Sequence, residues 1–390
     1  MMTTEKKMIS KNRILFLHAG SEWYGADKIL YNVLKTLLAN NECHVILPNE
    51  GILHEKIIQL QIPCNLLKYP VLRRKYFSIS GILIYFYHLL KTIPQLIGYI
   101  QKNKIEILHS NTIAVLEGVL LSTILHKPHV WHIHETLKKP ALLVKALSFF
   151  ARNFSTVTLC VSKTVADNLG KSKKIRIIHN GIPLINSPDM ASQKRLHNPF
   201  TIGVVGRFNA IKGQISLLQA IQNVKGSGRL NAACKILLIG GVFENDLRWL
   251  NNVKQYIDEQ EIGSFVEIRD FSENIESIFN EVDLIAHPSI LPDSFPTVVL
   301  EAMSFGVPVV GYKNGGICEM LNYDGECLAE IGDFKGIGER IVTFIANKEF
   351  YNKKRKCQHE RFLQHFTIEV FNDRINKVYE EVKRTLRNPQ

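Results

Sequence analysis

Short runs rich in β-branched and aliphatic residues alternate with longer stretches of helical periodicity, and this alternation occurs twice along the chain. In the first half the runs are RILFLH from Arg13, HVILP from His44, IEILHS from Ile105, HVWHIH from His129, VTLCVS from Val157 and IRIIHN from Ile175. Between them lie segments such as DKILYNVLKTLLAN and AVLEGVLLSTIL, apolar at helical spacing. Strands covered on both faces read as unbroken apolar runs, and a helix between consecutive strands makes them parallel. Residues 182–199, IPLINSPDMASQKRLHNP, lose the pattern and gather Pro, Ser and Asn. The alternation resumes with FTIGVVGRF at Phe200, CKILLIGG at Cys234, SFVEIRDF at Ser264, VDLIAHPS at Val282 and GVPVVGY at Gly306.

The predicted fold class is α/β, with two Rossmann-like, doubly wound parallel-sheet domains facing a central cleft. The first is expected over 1–185, a linker over 186–199, the second over 200–365, and a C-terminal helix over 366–390. In that last helix Ile375, Val378, Tyr379, Val382 and Leu386 share one face, which is predicted to pack back on the first domain. Open parallel sheets bind ligands beyond the carboxyl ends of their strands, so functional residues are expected just after those ends.

Composition narrows the class. Seven cysteines are scattered without a C-x-x-C, which fits a reducing compartment and gives no metal-finger pattern. The longest strongly apolar stretch, SISGILIYFYHLL from Ser78, is shorter than the roughly 18–20 residues that span a bilayer. A cytoplasmic protein is expected. The net charge of +12 is uneven: residues 1–195 hold 26 basic and 11 acidic side chains, the remainder 22 and 25. Between Glu55 and Glu106 there is no acid, while Arg73, Arg74 and Lys75 cluster there ahead of an aromatic-rich apolar helix. Such a stretch is either a packed helix with solvated ends or a face for an anionic membrane or a lipid-diphosphate-linked acceptor. Lys138, Lys139, Lys145 and Arg152 extend the same basic character. Nucleic acid is not expected, because no binding module is recognisable.

Two segments carry chemistry. In GVVGRFNAIKGQISLLQAI, from Gly203, a strand ends at Gly206, Arg207 and Lys212 flank a short loop, and Gly213 opens a helix. Two fixed cations beside backbone N–H groups suit a diphosphate; two solvated surface cations are the other reading. In LPDSFPTVVLEAM, from Leu291, Asp293 lies on the loop after a strand, and a helix follows with Pro296 in its first turn. The backbone N–H groups around Phe295, Pro296, Thr297 and Val298 are placed for a second phosphate oxygen. Glu301, one turn on, is placed to accept from a vicinal diol such as ribose.

G-R-x4-K-G after a strand, then an acid with seven residues between it and the Glu of L-E-A-M, then GVPVVGYKNGGICEML, resembles the signature of family-4 retaining glycosyltransferases. EWYGADKILYNVLKTL, VWHIHE, CVSKTVADNL and IHNGIP are similar to that family's landmarks in the same order. The resemblance implies the GT-B fold and transfer of a sugar from a nucleotide-diphosphate donor to a glycan or lipid-linked acceptor in surface polysaccharide synthesis. It implies that Arg207 and Lys212 hold the diphosphate, that Glu301 accepts from the ribose, and that Asp293 holds the donor sugar where the family usually has Glu. It places His134 beside the sugar and the attacking acceptor, and Gly25 in the loop near the phosphates, although YGAD stands here where two glycines and Glu are more usual. No D-x-D occurs, so no metal or other cofactor is expected, and Arg207 and Lys212 stand in for the metal. His132 is read as structural, His18 as a contact of donor or acceptor, and Glu319 as a nucleotide-pocket or hinge-side residue. A GT-B epimerase and a non-catalytic nucleotide-sugar or membrane-binding protein remain as alternatives. A nicotinamide dehydrogenase is disfavoured, because HAGSEWYG after the first strand is not G-x-G-x-x-G.

Overall fold

The computed structural model describes residues 11–73, 76–137, 140–185, 190, 195–229, 234–242, 246–272 and 274–387. The chain forms two compact units, one of residues up to Ile178 together with Asn372 onward, the other of His179–Phe371.

The first unit opens with β1 (Asn12–Leu17), α1 (Gly25–Leu38), β2 (Asn41–Leu47), α2 (Ile52–Gln59), β3 (Cys64–Leu66) and α3 (Ile79–Lys102). It continues with β4 (Ile107–Ser110), α4 (Glu117–Leu125), β5 (His129–Ile133), α5 (Ala141–Asn153), β6 (Val157–Cys160), α6 (Lys163–Leu169) and β7 (Ile175–Ile177). Among the described residues its sheet has seven parallel strands in the order β3-β2-β1-β4-β5-β6-β7. The central strands β4, β5 and β6 are buried at every position, as their unbroken apolar runs require. Leu15, Leu17, Ile46, Leu96, Ile100, Leu108 and Leu121 pack into one core, so α3 is tied to the sheet by its inner face alone.

The second unit holds β8 (Phe200–Val205), α7 (Gln214–Gly226), β9 (Cys234–Ile239), α8 (Arg248–Glu259), β10 (Val266–Arg269), α9 (Ile275–Glu281) and β11 (Leu284–His287). Then come α10 (Thr297–Phe305), β12 (Val309–Tyr312), α11 (Ile317–Met320), β13 (Leu328–Ala329), α12 (Phe334–Ala346) and α13 (Lys348–His365). Its parallel sheet runs β10-β9-β8-β11-β12-β13. In both sheets the winding direction reverses beside the first strand, at β1/β4 and at β8/β11, and these switch points are where such sheets open a crevice.

Two boundaries differ from the sequence expectation. The first unit ends at Ile178 and not at 185, because the segment after it is bonded into the second unit: the Ile182 amide donates to the Phe366 carbonyl and the Ile185 amide to Ser304 Oγ. The last helix, α14 (Ile368–Arg387), crosses the division at Phe371/Asn372. From Asn372 on it belongs to the first unit, where Thr36 Oγ1 donates to Asn372 Oδ1 at 2.6 Å and Tyr379 OH meets His109 Nδ1 at 2.6 Å. Strands β3 and β13 were not read from the sequence, since each is only two or three residues long.

Candidate active site

At the β8/β11 switch point the two loops are built toward each other. Beyond β8, Gly206 has a φ of +150°, and the stem of Lys212 lies over its bare Cα. Asn209 Oδ1 accepts from the amides of Ile211 (2.9 Å) and Lys212 (3.2 Å), folding the loop into a turn that aims Lys212. Gly213 caps α7 at a φ of +68°, and a β-carbon there would overlap the Pro288 carbonyl oxygen. The Ile290 amide closes the approach by donating to the Ile211 carbonyl at 2.9 Å.

The result is an ion pair: Lys212 Nζ lies 2.6 Å from Asp293 Oδ2, with 19% and 21% of the two side chains exposed. Burial alone would push the Asp293 carboxyl up, but Lys212, His287 and Arg207 outweigh it and hold it below the usual range. His287 Nε2 is 3.7 Å from the same carboxylate and 3.1 Å from Ser289 Oγ. Burial, with Lys212 adding to it, lowers His287 to about 4, so this ring is neutral at pH 7.

Behind Asp293 stands the Gly315–Gly316 pair of NGGICEM. Asp293 bridges to Gly315, and the Gly316 amide donates to the Asp293 carbonyl at 2.9 Å. A β-carbon on either glycine would overlap the carbonyl of Asp293 or Ser294. Downstream, Phe295 turns its ring away from solvent to stack on His179 (5.0 Å between centroids), whose Nε2 pairs with Glu319 Oε2 at 2.8 Å. Any ligand contact of Phe295 is thus through its backbone. Pro296 is the N-cap of α10 and precedes its first turn, a correction of one position. Its carbonyl takes the Val299 amide, so the amides of Thr297 and Val298 start the helix without that i→i−3 bond. Glu301 lies one turn on, 9% exposed.

At the β1/β4 switch point of the first unit, His18 directly follows β1 and Asn111 directly follows β4. The Asp27 carboxylate, in the first turn of α1, accepts from the Tyr24 amide at 2.8 Å and lies 2.8 Å from His18 Nε2. Gly25 is the first residue of that helix. His134, just past β5, places Nε2 3.2 Å from Asn111 Oδ1. Its ring lies 4.2 Å from that of His132, which is wholly buried. Burial first, then His132 and His18, lower the His134 pKa well below the usual range. Of the basic cluster, Arg73 is exposed, whereas Arg74, Lys75, Lys138 and Lys139 lie outside the described residues.

Residues 23–185 match the family described as Glycosyltransferase Family 4, and residues 187–360 match Glycosyl transferases group 1. The chain belongs to the family-4 glycosyltransferases. Over 251 residues it is 25% identical to the capsular polysaccharide biosynthesis glycosyltransferase CapM of Staphylococcus aureus, spanning 61% of this chain and 64% of that protein. Over 97 residues it is 30% identical to N-acetyl-alpha-D-glucosaminyl L-malate synthase of Bacillus anthracis, 25% of this chain and 26% of that one. The match thus spans less than two thirds of either curated relative. Its two parallel sheets with intervening helices are those of the GT-B glycosyltransferases. Anabaena HepE in complex with UDP superposes with a TM-score of 0.80 at 21% identity, over 95% of this chain and 100% of that one. HepE in complex with UDP-glucose gives 0.77 at 21% identity, over 95% and 99%.

For this family-4 glycosyltransferase, sequence reading singled out Arg207, Lys212, Asp293 and His134, and the structure joins Lys212 directly to Asp293. It did not find Asp27, Asn111 or His287. Each of the three sits at or just past a strand end or helix start, so the strand-end rule applied to every strand would have found Asn111 and His287. Asp27 has no such signal; it is recognisable only as the acid in the first turn of α1.

Proposed function

We propose that this protein is a retaining, metal-independent glycosyltransferase. It moves a sugar from a nucleotide-diphosphate donor to a glycan or lipid-diphosphate-linked acceptor in surface polysaccharide synthesis. The observation that carries this reading is the Lys212–Asp293 pair at the start of α10, with Arg207 in electrostatic reach. An ammonium has three donors, so Lys212 can keep Asp293 and still hold a phosphate oxygen. Asp293, kept ionised, can only accept, which suits sugar hydroxyls. When the anomeric C–O bond breaks, negative charge gathers on the departing diphosphate, where Arg207, Lys212 and the first amides of α10 stabilise it. The acceptor hydroxyl then bonds to the anomeric carbon on the face the diphosphate leaves, and its proton passes to the leaving phosphate oxygen. Glu301 takes the ribose hydroxyls, and His134 in the first unit meets the sugar. The HepE complexes support a uridine diphosphate donor.

The protein is further proposed to work peripherally on the anionic, cytoplasmic face of the membrane. No helix among the described residues is long and apolar enough to cross a membrane. Yet Leu83, Phe86, Tyr87 and Leu90 of α3 are more than half exposed, in a stretch without acids.

A panel of nucleotide sugars followed by thermal stabilisation tests the donor. A UDP-sugar at about 100 times its Kd should add roughly 2.7 kcal/mol. Transfer should survive EDTA. Stabilisation by none of the panel would overturn the reading.

A further inference from the structure

The buried polar chain of the first unit has a direction. Asn111 Nδ2, a donor only, faces the Ala26 carbonyl, an acceptor only, at 3.3 Å, and lies 3.3 Å from His18 Nδ1. Its Oδ1, an acceptor only, therefore faces His134 Nε2 at 3.2 Å. On the far side of His18, the Asp27 carboxylate can only accept, so it fixes a His18 proton on Nε2, while Nδ1 lies 3.3 Å from both the Asn111 backbone carbonyl and Asn111 Nδ2. The Tyr24 amide anchors Asp27 in turn, and Tyr69 OH, 2.9 Å from the His18 amide, clamps the His18 backbone. Asp27, His18, Asn111 and Tyr69 are buried, so their side chains cannot readily trade these partners for solvent.

We infer that Asn111, its amide oriented by the Ala26 carbonyl, sets the tautomer of His134, with the proton on Nε2 and the lone pair on Nδ1. Asn111 is a positioning residue, since it acts through His134, and Asp27 and His18 pack the buried face behind it. The consequence for sugar transfer rests on the proposed contact of His134 with the donor sugar; the tautomer itself does not. A neutral ring whose Nε2 proton is committed to Asn111 can hold a sugar hydroxyl by accepting from it, and it cannot act as the acid for the departing diphosphate. That charge is left to Arg207 and Lys212 of the β8–α7 loop, where Lys212 pairs with Asp293 on the loop before α10. His132, its ring 4.2 Å from that of His134 and tilted by 42°, with both ring nitrogens lacking a partner among the described residues, offers no competing hydrogen bond.

Nitrogen-15 NMR of histidine-labelled full-length protein reads the tautomer directly. The wild type should show His134 with a protonated Nε2 and an unprotonated Nδ1, in one form. Asn111→Leu keeps the bulk and removes the acceptor, and should shift the His134 ring resonances and lower transfer by about ten- to a hundredfold in kcat. Asn111→Asp keeps an oxygen toward His134 and should recover most of that loss. A protonated Nδ1 in the wild type, unchanged His134 resonances in Asn111→Leu, or equal loss in the Leu and Asp variants would each overturn the inference. If the resonances move as expected while transfer is untouched, the tautomer stands and the sugar contact of His134 fails.

Discussion

Asp293 and Lys212 satisfy each other across 2.6 Å in a site only one-fifth open to water, so the two cannot be altered independently. Lys212→Ala removes a phosphate donor and leaves a largely buried carboxylate without its nearest cation. Transfer should fall by about 10²–10³ in kcat, the scale of losing one oriented donor at a developing anion. Lys212→Arg should recover little, because a planar fork cannot replace a point charge folded over Gly206. Asp293→Glu lengthens the acceptor by one methylene and should shift preference among donor sugars while nucleotide affinity changes little. Competition between UDP-sugars, set against UDP binding by calorimetry, separates the two, and equal loss of both would refute it. The residue types and loop positions of this site were legible in the sequence, because strand ends and helix starts are. That Lys212 and Asp293 bond to each other was not, since their separation in the chain is 81 residues and only the β8–β11 pairing brings them together.

The Asp293 loop owes its path to Gly315 and Gly316, whose missing side chains let two stretches of backbone touch. Gly315 also has a φ of +79°, so Gly315→Ala adds backbone strain to the overlap. Either alanine should weaken donor binding at least tenfold while the second unit stays folded, checked by calorimetry beside circular dichroism; full donor affinity in both variants would dismiss this role. The sequence marked NGG only as a helix start, because close backbone approach leaves no periodic trace. Helix α3 shows the opposite case: its periodicity predicted a helix, but which face meets the core depends on the neighbouring strands. Tyr85, Leu89, Leu96 and Ile100 turn inward, and Leu83 and Leu90 lie 67% and 74% exposed. Leu83→Gln with Leu90→Gln should therefore leave stability within about 1 kcal/mol. The same pair should abolish flotation with vesicles containing anionic lipid. Wild-type protein that fails to float, or that floats equally with neutral vesicles, would remove the membrane reading, and a concentration-dependent dimer would replace it.

At the scale of the molecule, the two sheets follow from apolar runs legible in the chain, their strand order only from the pairing, while the buried ionisable groups beneath them follow from packing and set how stability responds to pH. Burial lowers His109 and His129 to about 3 and His287 to about 4, and takes His132 and His134 well below 6.5. These rings take up protons only on unfolding, so stability falls as pH drops below about 6.5. Glu117 works in the other direction. It is fully buried at the start of α4, and burial pushes it up to about 8, against the Glu117 and Leu116 amides that favour its charged form. Its proton is held by the folded state and released on unfolding, so stability present below pH 4.5 is lost as pH rises toward 8. Glu135, raised by burial as well, adds in the same sense. The two trends meet near pH 6.5, where the folded protein should be most stable. Between pH 6.5 and 8 Glu117 alone accounts for a loss of about 2 kcal/mol. Glu117→Gln carries no titratable proton, so it should flatten that limb and steepen the acid limb between pH 5 and 6.5 by about 2 kcal/mol, because Glu117 opposes the histidines there. Urea denaturation of wild type and variant at pH 5, 6.5 and 8 measures it. An alkaline decline as steep in the variant as in the wild type would mean that Glu117 is ionised in the folded protein, and that the maximum has another cause.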